Sequence, residues 1–227
     1  MTSSVRPPTI ALLTDFGTRD WYVACVKGVI LTICPSARLV DVTHEVPPFD
    51  MVAGAFILAQ AASWFPHGTV FVCVVDPGVG TARRVLAAQA DGRLFVGPDN
   101  GLLSLVLGRA TRPRVVHATN RAYWLPQVSH TFHGRDIMGP VGAHLARGVP
   151  LSRLGTPAAS FHPLPVPSLR RAANRVTGSV IYIDHFGNLV TNLPSSLLAP
   201  RAAKLAGLAY QSRRCPVVPF YGAGKAG

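Results

Sequence analysis

The sequence predicts an α/β fold, with an N-terminal α/β domain around a central, mainly parallel sheet, followed by a small C-terminal β-barrel domain. Strand-like and helix-like stretches alternate over residues 9–76, and several aspartates stand where apolar runs end. The sequence after residue 175 is rich in β-forming residues interrupted by glycines, which is typical of a small antiparallel domain. With 227 residues, 48% of them hydrophobic, the chain is long enough to bury one good core.

The first five elements follow one another closely. The pattern predicts a strand in TIALLTD, a helix in WYVACVKGVILTIC, a strand in ARLVDVTHEV, a helix within the apolar stretch 51–65, and a strand in TVFVCVVD. This order implies a parallel sheet covered by helices. In such sheets ligands bind beyond the carboxyl ends of the strands, where Asp15 and Asp76 are expected.

Composition places the domain boundaries. We expect the catalytic α/β domain at residues 1–157, a linker at 158–175 and a β domain at 176–227. The stretch GTPAASFHPLPVPSLRRAANR is rich in proline, alanine and arginine and has no steady period, which favours a linker. The final CPVVPFYGAGKAG does not look like the end of a barrel, so the β domain is expected to be incomplete.

The sequence favours a cytoplasmic protein that does not cross a membrane. The apolar stretch 51–65 is shorter than the ~18 to 20 residues of a membrane span, and the segment MTSSVRPPT has no apolar signal core. The four cysteines lack CxxC spacing and lie mostly in apolar runs, which is typical of reduced core thiols rather than disulfides or zinc ligands.

The net charge of +12 raises the question of a nucleic-acid partner. Arginine supplies all but three of the 22 basic residues, and many arginines stand singly among alanine, proline and valine. No basic stripe interleaved with aromatic residues is visible, so we predict no specific nucleic-acid binding. A basic interaction protein remains an alternative, and salt-sensitive nucleic-acid binding would be its sign.

The stretch FVCVVDPGVGTARR carries the first candidate chemistry. Asp76 ends a strand-like run, a turn rich in glycine follows, and Arg83 comes seven residues later. The two side chains can face one pocket and hold a water molecule; alternatively, Asp76 caps the turn and Arg83 is an ordinary surface residue. The run GVGTAR lacks the Lys-Ser/Thr ending of a phosphate-binding P-loop.

A second polar stretch is SHTFHGRDIMGPVGAHL. Around Gly134 it offers five charged or titratable side chains: His130, His133, Arg135, Asp136 and His144. A metal site is conceivable, but no HxH or HxxxH spacing lies on an obvious helix and no cysteine accompanies the histidines. We therefore predict that the site uses no metal.

Five motifs in order, TDFGTRDWYVACVKG, VDPGVGTARR, GPDNGLL, TFHGRDIMGP and IDHFGNLVTN, make the chain resemble the S-adenosyl-L-methionine (SAM) hydroxide adenosyltransferase family, the SAM hydrolases. The resemblance extends from Ile10 to about Leu193. It implies hydrolysis of SAM to adenosine and L-methionine, with SAM as substrate and no cofactor. It also implies a homotrimer whose active sites lie between subunits.

The resemblance implies a role for nine residues of this chain. The catalytic set falls on Asp76, Arg83 and His133. The other six are expected to bind the substrate: Asp15 at the ribose diol, Phe49 beside the ribose, Asp20 and Asp184 near the methionine ammonium, and Phe186 and Asn188 along the nucleoside.

The related fluorinase and chlorinase carry a tyrosine where Asp76 stands and Tyr-Ser at positions 133 and 134. An anionic Asp76 would repel a halide, so the resemblance favours water as nucleophile, with Asp76 and His133 orienting it and either accepting its proton. Two alternatives stay open: a halogenase, and a protein that binds SAM or adenosine with little turnover because its C-terminal domain is short.

Overall fold

The computed structural model describes residues 6–197, 208–211, 213–215 and 218. The chain divides into two compact units, residues 1–165 and 166–227. The first unit contains one large sheet with helices, and the second contains short antiparallel strands.

Among its described residues, the first unit has seven strands and four α-helices. The strands are β1 (Thr9–Thr14), β2 (Arg38–Thr43), β3 (Val70–Val74), β4 (Val85–Ala90), β5 (Arg93–Pro98), β6 (Arg114–His117) and β7 (Thr156–Pro157). The helices are α1 (Tyr22–Ile33), α2 (Met51–Ala61), α3 (Ser104–Arg109) and α4 (Gly139–Ala146). Within the described residues, no helix is long and apolar enough to cross a membrane.

The seven strands form one sheet in the order β2-β1-β3-β5-β4-β6-β7. The pairs β1–β2, β1–β3 and β3–β5 are parallel, and β4 runs antiparallel to both β5 and β6. Five of the seven strands therefore point the same way. The predicted α/β class and mainly parallel sheet are confirmed, as are the first five predicted elements.

Local sequence explains where these elements begin and turn. Asp50 caps α2, because its carboxylate accepts a hydrogen bond from the Ala53 N–H at 2.9 Å. The dipeptide Asp91-Gly92 joins β4 to β5 with φ angles of +45° and +73°, the two positive values that a tight type I′ hairpin requires.

Both faces of the central strands are buried. Ile10 and Val72 belong to the cluster that includes Val26 of α1 and Val141 of α4. Because successive strand residues point to opposite faces, Phe71 lies on the other face, where its ring stacks on Phe95 with centroids 5.2 Å apart. Burial on both faces explains why the sequences of β1 and β3 are almost continuously apolar.

The second unit contains three two-stranded antiparallel sheets among its described residues. They pair β8 (Arg170–Ala172) with β9 (Arg175–Thr177), β10 (Val180–Ile183) with β11 (Leu189–Thr191), and β12 (Leu208–Tyr210) with β13 (Arg213–Cys215). The antiparallel pairing agrees with the predicted β domain. In the described part of the unit these are separate hairpins, so the predicted barrel is not confirmed. Most of CPVVPFYGAGKAG, on which the expectation of an incomplete barrel rests, lies outside the described residues.

Candidate active site

Two aspartates meet at the carboxyl edge of the sheet. Asp15 directly follows β1, and Asp76 comes two residues after the end of β3. These strands are parallel neighbours, and the Asp15 backbone N–H donates to the Val74 carbonyl oxygen at 3.4 Å. The structure thus places both carboxylates where ligands bind in parallel sheets.

The loop after Asp76 folds back on itself. The Asp76 carbonyl oxygen accepts from the Val79 N–H at 3.2 Å, and the Gly78 carbonyl oxygen accepts from the Thr81 N–H at 3.1 Å. The Thr81 hydroxyl also donates to Gly78, at 2.7 Å. These turns reverse the chain within a few residues and return Arg83 to Asp76.

Gly80 makes this turn possible in two ways. Its φ angle of +80° lies in the left-handed region, which glycine adopts without a steric penalty. A Cβ at this position would also overlap the His130 carbonyl oxygen. Both conditions favour glycine at this point of the loop.

Arg83 and Asp76 form a forked ion pair. Arg83 Nε lies 2.8 Å from Asp76 Oδ1 and 2.9 Å from Oδ2, and Arg83 Nη2 also contacts Oδ2. The side chains are only 10% and 5% exposed. The alternative of an ordinary surface arginine is therefore wrong. A guanidinium suits this position because it donates through a rigid planar fork.

His133 joins the pair through the same guanidinium. Arg83 Nη2 lies 2.9 Å from His133 Nδ1. Arginine only donates, so Nδ1 accepts, and the neutral ring carries its proton on Nε2. Burial and the positive charge of Arg83 lower the pKa of His133 below its usual value, which favours this neutral form.

A buried carboxylate holds the His133 segment in place. Gly134–Met138 form one turn of π-helix, and Asp136 Oδ2 accepts from the Ser129 N–H at 2.8 Å and hydroxyl at 2.7 Å. Arg135 Nε donates to Oδ1 at 2.6 Å. Burial by itself would raise the pKa of Asp136, but the hydrogen bonds from Arg135 and Ser129 outweigh it and lower that pKa.

A cavity of about 410 Å³ opens beside these groups. Its polar lining includes Asp15, Asp76 and His133, and four aromatic residues complete much of the wall: Phe16, Tyr22, Phe49 and Phe132. An apolar wall with a few convergent polar groups is typical of a small-molecule site, and the volume lies in the usual range for one.

Asp15 is fixed by the backbone of Phe49. The Phe49 N–H donates to Asp15 Oδ2 at 2.9 Å, and Phe49 has a φ of +63°, a strained conformation for a bulky residue. Burial raises the pKa of Asp15, and the Phe49 hydrogen bond opposes that rise. Phe49, predicted to lie beside the ribose, therefore lines the cavity next to Asp15.

Asp20 lies apart from this cavity. It is exposed in the bend before α1 and is not among the residues that line the cavity. Within the part of the chain that the structure describes, Asp20 forms no ion pair or hydrogen bond. Its role toward a substrate ammonium therefore stays a prediction.

The other three predicted site residues lie in the second unit, in the turn between β10 and β11. Asp184 Oδ1 accepts from the backbone N–H groups of Phe186 at 2.9 Å and Asn188 at 2.8 Å, and the Asn188 amide donates to Oδ2 at 2.6 Å. This side-chain bond leads the causes that lower the Asp184 pKa. Phe186 is 85% exposed. The turn thus presents an aromatic ring beside an ionised carboxylate.

The sequence reasoning missed three aromatic residues of the cavity wall. The rings of Phe16, Tyr22 and Phe132 pack against one another, with each pair of centroids 5.3 to 5.8 Å apart. All three stand inside the motifs TDFGTRDWYV and TFHGRD, so the signal was present. Aromatic residues in these motifs read equally well as core residues, which is why the motifs alone do not assign them to a cavity wall.

The structure gives no support to the metal alternative. Within the described part of the chain, no three His, Cys, Asp or Glu side chains are grouped to hold a metal ion. His144 belongs to α4, where its ring packs against Tyr123 with centroids 5.0 Å apart. Catalysis without metal or cofactor stays a prediction.

Fold and site define an α/β protein with a cavity beyond the carboxyl ends of its parallel strands, lined by Asp15, Asp76 and His133. Family comparisons are more specific. Residues 10–155 match the SAM hydroxide adenosyltransferase N-terminal domain, and residues 178–227 match the C-terminal domain of the same family. The chain belongs to the SAM hydroxide adenosyltransferase family, as the five motifs predicted.

Several curated relatives share most of the chain. It is 46% identical to an (R)-S-adenosyl-L-methionine hydrolase of Salinispora tropica, over 85% of this chain and 75% of that protein. It is 41% identical to a protein of the same name from Thermus thermophilus, over 83% of this chain and 75% of that protein. A fluorinase of Actinoplanes is 32% identical to this chain, over 91% of this chain and 76% of the fluorinase.

Two crystal structures resemble the fold. An uncharacterized conserved protein from Thermotoga maritima superposes with a TM-score of 0.77 at 40% identity, covering 83% of this chain and 72% of that one. A conserved hypothetical protein from Thermus thermophilus gives a TM-score of 0.74 at 36% identity, covering 96% and 83%.

Proposed function

We propose that this protein hydrolyses SAM to adenosine and L-methionine. The observation that carries the proposal is the Asp76–Arg83–His133 group, two members of which, Asp76 and His133, line the cavity that also holds Asp15. Membership of the family supports it, as do the hydrolase names of relatives at 46% and 41% identity.

The reaction is an in-line displacement at the ribose C5′. A water oxygen forms a bond to C5′ while the C5′–S bond breaks. The electron pair of the C5′–S bond stays on sulfur, which leaves as the neutral thioether of methionine. Sulfur needs no acid, because the sulfonium becomes neutral as it leaves. The difficult partner is water, whose pKa of ~15.7 makes it a poor nucleophile. Holding water in line with C5′ can contribute about 7 to 11 kcal/mol.

The geometry divides the work among the three residues. Arg83 holds Asp76 and His133 together, and its charge stabilises the hydroxide character that develops on the oxygen. The Nδ1 of His133 accepts from Arg83 and Nε2 carries a proton, so the neutral ring has no free acceptor for the proton of the water. We therefore assign proton acceptance to Asp76, whose oxygens keep free lone pairs beside the Arg83 contacts.

Substrate binding uses the rest of the cavity. Asp15 accepts hydrogen bonds from the two ribose hydroxyls, while Phe49 and the other aromatic residues pack against the nucleoside. Asp15 is suited to a diol because an ionised carboxylate offers several acceptor sites and donates nothing.

The remaining substrate contacts and the assembly belong to the proposal as well. Asp20 and Asp184 bind the methionine ammonium, and Phe186 and Asn188 line the nucleoside. The protein is a homotrimer in which the β domain of one subunit, built as a small barrel, completes the site of its neighbour. The motif resemblance supports these points, as it does the predicted cytoplasmic location.

A halogenase is the second candidate, because a fluorinase is 32% identical to this chain. The Asp76 carboxylate is only 5% exposed and faces the same cavity, so a halide there would meet a desolvated negative charge. Incubation of the protein and SAM with fluoride or chloride separates the two: a 5′-halogenated nucleoside would support the halogenase instead.

The decisive experiment is turnover of SAM in oxygen-18 water, followed by mass spectrometry of the nucleoside. Since the relatives are named for the (R) compound, the two sulfonium epimers are assayed separately. Adenosine with oxygen-18 at C5′ is the expected product. Tight adenosine binding with no turnover of either epimer would instead indicate a protein that binds the nucleoside without hydrolysing SAM.

A further inference from the structure

A second cavity, of about 570 Å³, lies on the other side of the Asp76–Arg83–His133 group, in the same unit. His133 lines both cavities, Asp76 lines the first, and Arg83 lines the second. The three side chains therefore form the partition between the two spaces. Asp76 and Arg83 are largely buried, so only a small part of each side chain is open to either cavity.

The two cavities differ in charge. The first carries the carboxylates of Asp15 and Asp76. The second is lined by Arg83, Arg84, Arg121, His130 and His133, and its lining, all from the described residues, includes no carboxylate. Asp99 balances part of this charge, since Arg84 Nε lies 3.6 Å from Asp99 Oδ2.

The second cavity also has groups that can hold water. Thr81 and Ser129 contribute hydroxyls to the lining.

We propose that the second cavity is the channel through which the water nucleophile reaches the catalytic group, separate from the opening that admits the substrate. The inference rests on the proposed hydrolysis of SAM. In-line attack requires the nucleophile to lie on the face of C5′ opposite sulfur, and a bound nucleoside occupies the first cavity.

Charge separates the two paths. The sulfonium and ammonium groups of SAM are attracted by the carboxylates of the first cavity and repelled by the guanidinium groups of the second. Water passes either barrier, and a developing hydroxide is stabilised on the basic side. The second cavity therefore excludes the substrate and still supplies its reaction partner.

Plugging the second cavity tests this channel. Val128 lines it, does not line the first cavity and is 37% exposed. The Val128→Cys variant is labelled with methyl or benzyl methanethiosulfonate, and dithiothreitol then removes the label. Trp64→Cys is the matched control, because Trp64 is 87% exposed and lines neither cavity. Unsubstituted protein treated in parallel accounts for the native cysteines.

The benzyl label on Val128→Cys is expected to lower kcat for SAM hydrolysis about tenfold or more, and the methyl label less. The Kd for adenosine is expected to stay within about twofold, because the substrate cavity is untouched. Dithiothreitol is expected to restore kcat, and labelled Trp64→Cys to keep it.

Two results would overturn the channel while leaving the hydrolase intact: full turnover by the benzyl-labelled variant, or loss of adenosine binding in parallel with turnover. The unlabelled variant and the unsubstituted protein are assayed first. Absence of hydrolysis in both would reject the proposed function, and the channel with it.

Discussion

Arg83 donates to both carboxylate oxygens of Asp76, with Nε 2.8 Å from Oδ1 and 2.9 Å from Oδ2, and its Nη2 also contacts Oδ2. The same Nη2 lies 2.9 Å from His133 Nδ1. One guanidinium therefore fixes a carboxylate and an imidazole that are 57 residues apart in the chain. Planar, bidentate pairing of this kind orients a group as well as neutralising it.

Replacing Asp76 by asparagine is expected to remove most turnover. The amide keeps the shape of the side chain but cannot take a proton from water, so kcat should fall about 10²- to 10⁴-fold with little change in adenosine affinity. The measurement is steady-state hydrolysis of SAM beside calorimetric binding of adenosine. Asp91→Asn, in the β4–β5 turn, is the matched control and should keep full activity; comparable kcat in the two variants would contradict the assignment.

The pH dependence should report His133. Burial and Arg83 lower the pKa of His133, so kcat is expected to stay level as pH falls to about 6.5, the usual histidine value, and to decline only below it. Protonation would place an N–H at Nδ1 against the Arg83 donor. The measurement is kcat as a function of pH for the purified protein. A decline in kcat that begins above pH 6.5 and is abolished in His133→Gln would contradict the lowered pKa.

The same shift has a consequence for stability. Between the lowered folded pKa of His133 and about 6.5, the unfolded chain binds a proton that the folded chain does not. The free energy of unfolding therefore decreases as pH falls through this window. Urea titrations across it should show a steeper loss for the unsubstituted protein than for His133→Gln.

Asp15→Asn should separate stability from binding. Burial raises the pKa of Asp15, so at neutral pH the ionised carboxylate disfavours the folded state and asparagine is expected to match or exceed its stability. Loss of charged hydrogen bonds to the ribose should weaken adenosine binding about 10- to 150-fold. Thermal unfolding and calorimetry test the two parts.

Asp20→Asn is the companion variant for this experiment. Asp20 does not line the cavity, and its proposed partner is an ammonium that adenosine lacks. Adenosine affinity should therefore be unchanged while the KM for SAM rises. Equal loss of adenosine binding in both variants would argue against the ribose assignment of Asp15.

Gly80→Ala should destabilise the Asp76–Arg83 loop more than a matched glycine substitution elsewhere. Gly80 and Gly148 have φ angles of +80° and +87°, but only at Gly80 would a Cβ meet another atom, the His130 carbonyl oxygen. Gly80→Ala is expected to lower the free energy of unfolding about 1–3 kcal/mol more than Gly148→Ala, because of overpacking. Urea denaturation of the two variants measures the difference. Equal losses of unfolding free energy would contradict the prediction, because they would mean that the chain relieves the overlap between the new Cβ and the His130 carbonyl oxygen.

Much of the fold could be predicted, because the signals are local. Apolar runs bounded by turn residues predicted β1 and β3, and the alternation of strands with helices predicted the parallel sheet. Since carboxyl ends of parallel strands share one edge, the positions of Asp15 and Asp76 followed from the same pattern. The motifs were long enough to identify the family without any coordinates.

The contacts of the site depend on the path of the chain in three dimensions. The spacing of Asp76 and Arg83 left a surface arginine open, and only the turn at Gly80 returns Arg83 to the carboxylate. The placement of His133 on Arg83 requires the π-turn that Asp136 holds. The second cavity has no sequence signature, because its lining comes from two stretches of chain, residues 80–85 and 118–137, that only the fold brings together.

The sequence by itself determined the class of fold, the residues available for catalysis and the family. Tertiary structure decided which of those residues touch, that the Arg83 side chain is buried rather than exposed, and that His133 lines both an acidic cavity and a basic one. The physical reason is that secondary structure follows from short-range periodicity and turn chemistry, whereas a site is assembled from residues whose separation in space is set by packing of the whole domain.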